Sequence, residues 1–308
     1  MTSSLTAMSW NIEKGLHGEQ AAAWVRAQAP DIFFQQELPP GQLKAQAERL
    51  GMNGYIAPAR PGSGHIQDRH RNAIFLKPSG PLAFAEEFDQ SWMPWSVAAN
   101  ISVRLRDADG TLSPRRISCV SGHACYWSSE HRQAEAKWCS TLAKPGWLAI
   151  HFWDWNSYRI GEGPQDWSQY TDLAYVANRT YFEGGRRRTD DRPDREMLAA
   201  GYTELARHAA TRLQQYNATK TASGYRRHPG RPGGPRHCID RGYLTKELAP
   251  ALTGFEVCDT GELRRLSDHL PLRATFDTAT LRAVLHRQAD VYAPHANRSV
   301  QWKGPFPA

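Results

Sequence analysis

Residues 147–156 read Trp-Leu-Ala-Ile-His-Phe-Trp-Asp-Trp-Asn, an apolar run that ends in Asp154 and Asn156. Residues 31–37 show the same arrangement, because Asp-Ile-Phe-Phe-Gln-Gln-Glu is a short apolar run that ends at Glu37. A short apolar run bounded by polar residues is typical of a buried strand. Functional side chains are often found where such strands give way to loops. The pattern therefore predicts strands that deliver polar groups to one rim of a sheet.

Four further polar fragments follow apolar runs in the same way: Ser9-Trp10-Asn11-Ile12-Glu13, His123, Ile239-Asp240 and Ser267-Asp268-His269. Carboxylate and amide oxygens are hard ligands that suit Mg2+ or Mn2+. Histidines beside them can contact a phosphate or move a proton. Together the fragments hold the ingredients of metal-assisted phosphoester hydrolysis.

The order and spacing of these fragments resemble the endonuclease/exonuclease/phosphatase superfamily. This group includes pancreatic DNase, abasic-site endonucleases, sphingomyelinases and inositol polyphosphate phosphatases. The resemblance covers residues 5 to 276. It implies an α/β (α+β) fold, a four-layer α/β/β/α sandwich in which two mixed sheets lie face to face with helices outside. It also implies a divalent-metal phosphoesterase activity with Mg2+ or Mn2+ as the cofactor.

The resemblance assigns roles to residues of this chain. Those that match the metal site are Asn11, Glu37 and Asp268, with Glu13 as an accessory acidic ligand. Those that match the catalytic residues are His123, Asp154, Asn156, Asp240 and His269. One departure from the family pattern is Trp153, which stands where the family usually has glycine. Its ring would either reshape the floor of the cleft or pack in the core.

The mechanism that these roles imply is in-line attack of water on phosphorus. Asp154 orients and deprotonates the water, while Asn156 and His123 hold the non-bridging oxygens. His269, whose tautomer is fixed by Asp240, stabilises the pentacovalent state or donates a proton. The sequence leaves open which histidine or carboxylate is the general base.

Composition agrees with a globular enzyme. The chain has 308 residues, of which 40% are hydrophobic and 22% charged, enough to bury the core of one domain. Its apolar runs are too short to cross a bilayer, and no cleavable signal is visible at the N-terminus. The five cysteines are odd in number and scattered, which suits a reduced compartment. We therefore expect a cytoplasmic protein with no membrane span, and we favour a monomer.

The expected organisation is one domain over residues 1–276, with a basic insertion at about 157–237, followed by a C-terminal helix and tail over 277–308. Periodicity predicts early helices over Glu19–Ala29 and His131–Leu142. It also predicts a helix over Asp194–Tyr216 within the insertion and one from Thr278 to about Ala289. Cys119, His123 and Cys125 resemble zinc ligands in spacing but lack a second ligand pair, so we do not favour zinc.

The insertion accounts for the net positive charge of the chain. From Arg179 to Arg236 there are 13 Arg or Lys and 6 Asp or Glu residues, an excess equal to the formal net charge of +7 of the whole chain. A basic segment near a phosphoesterase site favours a polyanionic substrate. The alternative is that these are solvated loop charges paired with Asp190, Asp191 and Asp194. The densest clusters are Arg186-Arg187-Arg188 and Tyr225-Arg226-Arg227-His228.

Three functions are compatible with these features. The leading hypothesis is a metal-dependent nuclease in which Arg186, Arg187 and Arg188 contact phosphates beyond the scissile one. The second is a phosphatase or phosphodiesterase for a small metabolite or lipid headgroup, and the third is a non-catalytic binding module on the same fold. The complete ligand set argues against the third. Further candidates for lining the cleft are Asn72, Tyr126 and Arg132.

Overall fold

The protein is described here from a computed structural model that covers residues 4–59, 70–91, 93, 96–220, 222–224, 230–231 and 238–288. In chain order the strands are β1 (Ser4–Asn11), β2 (Ile32–Leu38), β3 (Asn53–Ile56), β4 (Arg71–Leu76), β5 (Leu82–Glu87), β6 (Ala99–Leu105), β7 (Ile117–His123), β8 (Ala149–Asp154), β9 (Thr180–Glu183), β10 (Arg186–Thr189), β11 (Tyr202–Glu204), β12 (Asp240–Thr245), β13 (Leu252–Val257) and β14 (Leu272–Asp277). The α-helices are α1 (Gly18–Gln28), α2 (Leu43–Leu50), α3 (Ser129–Ser140), α4 (Leu173–Arg179), α5 (Arg192–Ala199), α6 (Leu205–Arg212), α7 (Leu263–Leu266) and α8 (Thr278–His286).

Twelve of these strands form two six-stranded mixed sheets. The first has the order β13-β14-β1-β2-β4-β3 and the second β11-β12-β8-β7-β6-β5. Each sheet contains one parallel pair, β1 with β2 and β7 with β8, and its other pairs are antiparallel. The remaining strands, β9 and β10, form a separate two-stranded hairpin.

The two sheets face each other across the main apolar core. Phe34 of β2 and Phe152 of β8 meet there with ring centroids 4.9 Å apart. Because side chains alternate along a strand, the neighbouring residues point to the outer faces. Trp10 of β1 meets Trp24 of α1 on one outer face, and Trp153 of β8 meets Trp138 of α3 on the other. The predicted sandwich of two mixed sheets with flanking helices is confirmed.

The insertion differs from the sequence-based expectation. Instead of one helix over Asp194–Tyr216, the chain forms α5, the short strand β11 and then α6. Gly201 adopts a φ of +88° between α5 and β11, a left-handed conformation that ends the helix at little cost for glycine. The cluster Tyr225–His228 lies outside the described residues. No helix among the described residues is long and apolar enough to cross a membrane.

A buried charge network joins the insertion to the second sheet. Asp194 of α5 accepts hydrogen bonds from the Tyr243 hydroxyl (2.5 Å) and pairs with Arg207 (2.8 Å). The Tyr243 hydroxyl also accepts from Arg241 Nε (2.9 Å), and Arg241 Nη1 donates to the Ser157 carbonyl (2.6 Å). Burial would raise the pKa of Asp194, but Arg241 and Arg207 outweigh it and lower the pKa below its usual value of 3.8. The network therefore fixes the backbone directly after the Asp154-Trp155-Asn156 motif.

We expect Asp194→Asn to lower the free energy of unfolding at pH 7 by about 3–5 kcal/mol, because it leaves the buried Arg241 uncompensated. The pKa of Asp194 is lowered in the folded state, so its contribution is complete above the unfolded pKa and is lost as the pH falls through the folded pKa. Urea denaturation at several pH values measures both effects. A matched control is Glu86→Gln, which breaks the exposed pair with Arg116 and should cost under about 1 kcal/mol. Equal losses in the two variants would contradict the role of the network.

Candidate active site

Strand register brings three of the predicted site residues together. Asp154 at the end of β8 lies opposite His123 on the parallel strand β7 and opposite Asp240 on the antiparallel strand β12. Directly opposite residues on neighbouring strands point to the same face. Phe152 faces the space between the sheets, so Asp154, two residues later, points to the rim of that same space.

Asp154 is the centre of the site and is only 2% exposed. Its Oδ2 atom lies 3.4 Å from His123 Nε2 and 3.7 Å from His269 Nε2, and it accepts a hydrogen bond from Asn11 Nδ2 of the facing sheet at 3.1 Å. Its Oδ1 atom accepts from the Asn156 backbone N–H at 2.9 Å. Both sheets thus contribute to the surroundings of one carboxylate.

Glu37 reaches the site because β2 is irregular at its end. The register with β4 shifts between Gln35 and Leu38, and Glu37 has a φ of +59°. A bulge of this kind re-aims a side chain that regular alternation would point to the opposite face. Glu37 Oε1 consequently lies 3.3 Å from Asn11 Nδ2 and 3.7 Å from His123 Nδ1.

His269 is placed by the loop between α7 and β14. Ser267 Oγ donates to the Asn11 carbonyl at 2.7 Å, and the indole of Trp10 donates to the His269 carbonyl at 2.9 Å. These bonds fasten the loop to the end of β1. His269 Nδ1 then lies 2.8 Å from Asp240 Oδ2, the pairing that the family resemblance implies.

Glu13 and Asp268 close the rim on the solvent side. Glu13 has a φ of +47°, and its Oε2 atom accepts the backbone N–H of Asp268 at 3.1 Å. Asp268 Oδ1 lies 3.8 Å from His269 Nε2. We call the groups Glu37, His123, Asp154, His269, Asp240 and Asp268 the acid–imidazole row, because carboxylates and imidazoles alternate from Glu37 to His269, which contacts both Asp240 and Asp268.

Within the acid–imidazole row, the pKa values of neighbouring carboxyl groups are shifted in opposite directions. Burial would raise the pKa of Asp154, but the charges of His123 and His269 outweigh it and lower the pKa below its usual range. Burial raises the pKa of Asp240 to about 6. Burial would lower the pKa of His269, but Asp240 and Asp154 outweigh it and hold the pKa well above its usual value. Opposite shifts of neighbouring acids mark sites where one group accepts protons and another holds them.

Asn156 is held by a residue that the sequence did not single out for the site. Arg179, at the end of α4, donates to Asn156 Oδ1 and to the Asn156 carbonyl, both at 2.6 Å. Asn156 Nδ2 donates to the Ala124 carbonyl at 3.0 Å. These contacts fix the orientation of the amide and leave one Nδ2 hydrogen uncommitted to them. Arg179 stands 23 residues after Asn156 and belongs to no recognisable motif. The sequence therefore gave no indication of this contact.

The donor atoms also form a compact group. Among the described residues, the one group of three or more acidic, histidine or cysteine ligands within 4.8 Å of one another is Asp154, Asp240 and His269. This group lies beside the predicted metal ligands rather than among them. Cys119 and Cys125 are not part of such a group, and burial raises the pKa of Cys125 to about 11.

Two residues predicted to line the cleft are buried instead. The Asn72 amide donates to the Val97 carbonyl at 2.8 Å, and the guanidinium of Arg132 pairs with Asp190 at 2.7 Å. Neither side chain is more than 1% exposed, so neither lines the cleft. Their hydrogen bonds instead join separate segments of the chain. Tyr126, by contrast, is 53% exposed.

The arginine cluster lies on the hairpin, in β10. Arg186, Arg187 and Arg188 are all exposed. The hairpin begins directly after Arg179 and therefore directly beside the Asn156 contact.

The chain is similar to known proteins in its fold. No protein-family model and no curated protein sequence matches the chain. Among solved structures, D. rerio TDP2 complexed with single strand DNA product is similar, with a TM-score of 0.57, 16% identity and coverage of 89% of this chain and 99% of that one. An AP endonuclease from Archaeoglobus fulgidus has a TM-score of 0.56 at 18% identity, and an endonuclease/exonuclease/phosphatase family protein from Bacteroides thetaiotaomicron has 0.57 at 16%. These cover 89% of this chain and 99% and 98% of their own chains.

The chain has the endonuclease/exonuclease/phosphatase fold. Within that fold, the departure at Trp153 is accommodated in the core. The ring is 1% exposed and stacks on Trp155 with centroids 4.8 Å apart. The residue opposite on β7 is Gly122, where an added Cβ would lie 2.2 Å from the Trp153 ring. The cleft floor is therefore not built from this ring.

We expect the metal-free protein to show a His269 imidazole that titrates well above the usual histidine pKa, and Asp240→Asn to lower that pKa. The reason is that burial alone disfavours the imidazolium, whereas the Asp240 carboxylate favours it. NMR titration of the histidine ring protons in EDTA measures the shift. His151 serves as the internal control, because burial lowers its pKa to about 3 and its Nε2 contacts the Tyr202 hydroxyl. An unchanged His269 titration in the variant would show that Asp240 does not set its charge.

Proposed function

We propose that this protein is a divalent-metal-dependent phosphodiesterase that cleaves DNA or RNA by in-line attack of water. The observation that carries the proposal is the acid–imidazole row centred on the buried Asp154. This row places three kinds of group at one rim. Its carboxylates can bind a metal ion, an ionised carboxylate can accept a proton from water, and its imidazoles can contact phosphate oxygens. Solved proteins of the same fold support the class, since one was solved with a single-strand DNA product and another is an AP endonuclease.

The residues present fit a hard divalent cation. Glu37 and Asp154 both approach the amide of Asn11, and His123 lies near both carboxylates. Two carboxylates so close together repel each other unless positive charge lies between them. Glu37 and Asp268 would hold the ion, with Glu13 and Asn11 beside them, and Asp154 would act on the attacking water. When bound, Mg2+ or Mn2+ neutralises charge on the phosphoryl oxygens and the leaving group.

Asp154 orients the attacking water and takes its proton. Its lowered pKa keeps it ionised at neutral pH, and the backbone N–H of Asn156 holds Oδ1 in place. The Oδ2 atom faces both imidazoles, so a water beside it is within reach of His123 and His269.

The two histidines and Asn156 act on the phosphate. His123 and the uncommitted Nδ2 hydrogen of Asn156 donate to non-bridging oxygens, where negative charge develops. His269 is protonated and its Nδ1–H is held by Asp240, so Nε2–H is the atom that stabilises the pentacovalent state or protonates the leaving oxygen. Arg179 is a positioning residue, because it acts through the Asn156 amide.

Removal of divalent metal should abolish hydrolysis, and Mg2+ or Mn2+ should restore it, because the Glu37 and Asp154 carboxylates otherwise repel phosphate. The measurement is cleavage of plasmid, single-stranded DNA, RNA and bis(p-nitrophenyl) phosphate with and without EDTA. Glu37→Gln should raise the metal concentration needed for half-maximal activity, while the fold is retained because the side chain lies at the rim. The matched control is Glu48→Gln on the outer helix α2. Full activity in excess EDTA would refute the metal role.

Asp154→Asn and His269→Ala should each lower kcat by roughly a hundredfold or more, the usual scale for loss of a general base or acid. The double variant should be little worse than the poorer single one, since groups that act as one unit lose most of their joint contribution together. Steady-state kinetics on bis(p-nitrophenyl) phosphate measures this. A single variant with near-unchanged kcat would remove that residue from the mechanism, and additive losses would show that the two act independently.

A further inference from the structure

The hairpin of β9 and β10 presents two chemically different faces. Its strands are joined by Gly184 and Gly185, with φ of +56° and +74°, the left-handed pair that a tight hairpin turn requires. Directly opposite residues share a face and successive residues alternate. One face therefore carries Tyr181, Glu183, Arg186 and Arg188, and the other, which we call the Phe182 face, carries Thr180, Phe182, Arg187 and Thr189.

The three arginines do not act as one cluster, because alternation separates Arg187 from the other two. On the first face, Arg188 lies 3.7 Å from Glu183, which also stands opposite Arg186 in the register. That face thus carries its own counter-charge. On the Phe182 face, Arg187 has no carboxylate within 4.0 Å among the residues that the structure describes.

Two contacts nevertheless hold the Arg187 side chain. Its Nη1 donates to Thr180 Oγ1 at 2.6 Å, and its guanidinium lies 4.7 Å from the centroid of the Phe182 ring. The Phe182 ring remains 67% exposed. The pair therefore offers a flat apolar ring beside an unneutralised cation, a combination that suits a base and its adjoining phosphate.

The hairpin is linked to the active site through Arg179. Arg179, which holds the Asn156 amide, immediately precedes β9, so Phe182 lies at most about 11 Å from Arg179 along the chain. Arg179 also donates to the carbonyl of the exposed Tyr126 at 3.4 Å.

We propose that Phe182 and Arg187 form a subsite for single-stranded nucleic acid, in which an unpaired base stacks on Phe182 and Arg187 contacts the adjoining phosphate. The inference rests on the proposed nuclease function and adds the substrate class, an unpaired strand held on the hairpin that follows Arg179 in the chain. Bases already stacked in a duplex cannot use the ring, so the subsite selects for single strands.

The test is binding of a fluorescent single-stranded DNA octamer in Mg2+ to the full chain carrying Asp154→Asn, which slows cleavage by roughly a hundredfold or more. Phe182→Ala should weaken binding by about 5- to 150-fold, the effect of losing one stacked base. Arg187→Ala should weaken binding and flatten the log-log salt dependence by about 0.7. The matched controls, Arg186→Ala and Arg188→Ala, remove the same charge from the opposite face and should change affinity less than about twofold.

Octamers with a single abasic position locate the stacked base. At one position, removal of the base should weaken binding as much as Phe182→Ala does, and the two changes together should cost no more than either alone. Duplex of the same sequence should show no loss from Phe182→Ala. Equal effects of all three arginines, or abasic losses that are independent of Phe182, would overturn the subsite.

A lipid surface and a second copy of this chain are the two alternative occupants of the Phe182 face, and each gives a different outcome. If Phe182→Ala leaves octamer binding intact but lowers binding to phosphatidylserine vesicles, or shifts sedimentation from dimer to monomer, the subsite is wrong. Hydrolysis of bis(p-nitrophenyl) phosphate by the unaltered protein tests the nuclease chemistry separately. Absence of that hydrolysis with octamer binding still dependent on Phe182 would reject the proposed function but not the binding surface.

Discussion

The structure of the site depends on the burial of one charge, the carboxylate of Asp154. A buried carboxylate is costly unless hydrogen bonds and opposite charges surround it. Here the compensation comes from both sheets, through Asn11 and His269 on the side of the first sheet and His123 on the second. The register of β7, β8 and β12 is therefore tied to the chemistry, because a slip of one residue would point Asp154 to the outer face.

Backbone strain is concentrated around the same charge. Of the six non-glycine residues with positive φ among those described, Glu13, Glu37 and Asn156 belong to the site. Asparagine tolerates this conformation, but glutamate does so only at a cost. That cost is offset by contacts at the rim, such as Glu37 with the backbone N–H of Lys14 and Glu13 with that of Asp268. At Glu37 the strain lets the side chain face the site from a position where a regular strand would turn it away.

The apolar runs of the sequence predict strands, and the polar residue at each strand end is visible in the chain, whereas the sandwich of two sheets was implied by the family resemblance. The Asp240–His269 pairing was predicted and is present. Contacts without a local pattern were not predictable. Arg179 is one case, and the burial of Arg132 against Asp190 is another, since both depend on where the insertion folds back. The single predicted helix over Asp194–Tyr216 failed for a related reason: β11 forms by pairing with β12, a long-range contact that local periodicity does not encode.

The central claim is that the carboxylates around Asp154 hold a divalent cation. The most direct measurement is anomalous diffraction from crystals of the protein grown with Mn2+, collected above and below the manganese absorption edge. The account predicts an anomalous peak within coordination distance of Glu37 and Asp268. A peak that is bound only by Asp240 and His269 would move the metal to the other end of the acid–imidazole row. The absence of any peak at this rim at saturating Mn2+ would contradict the claim.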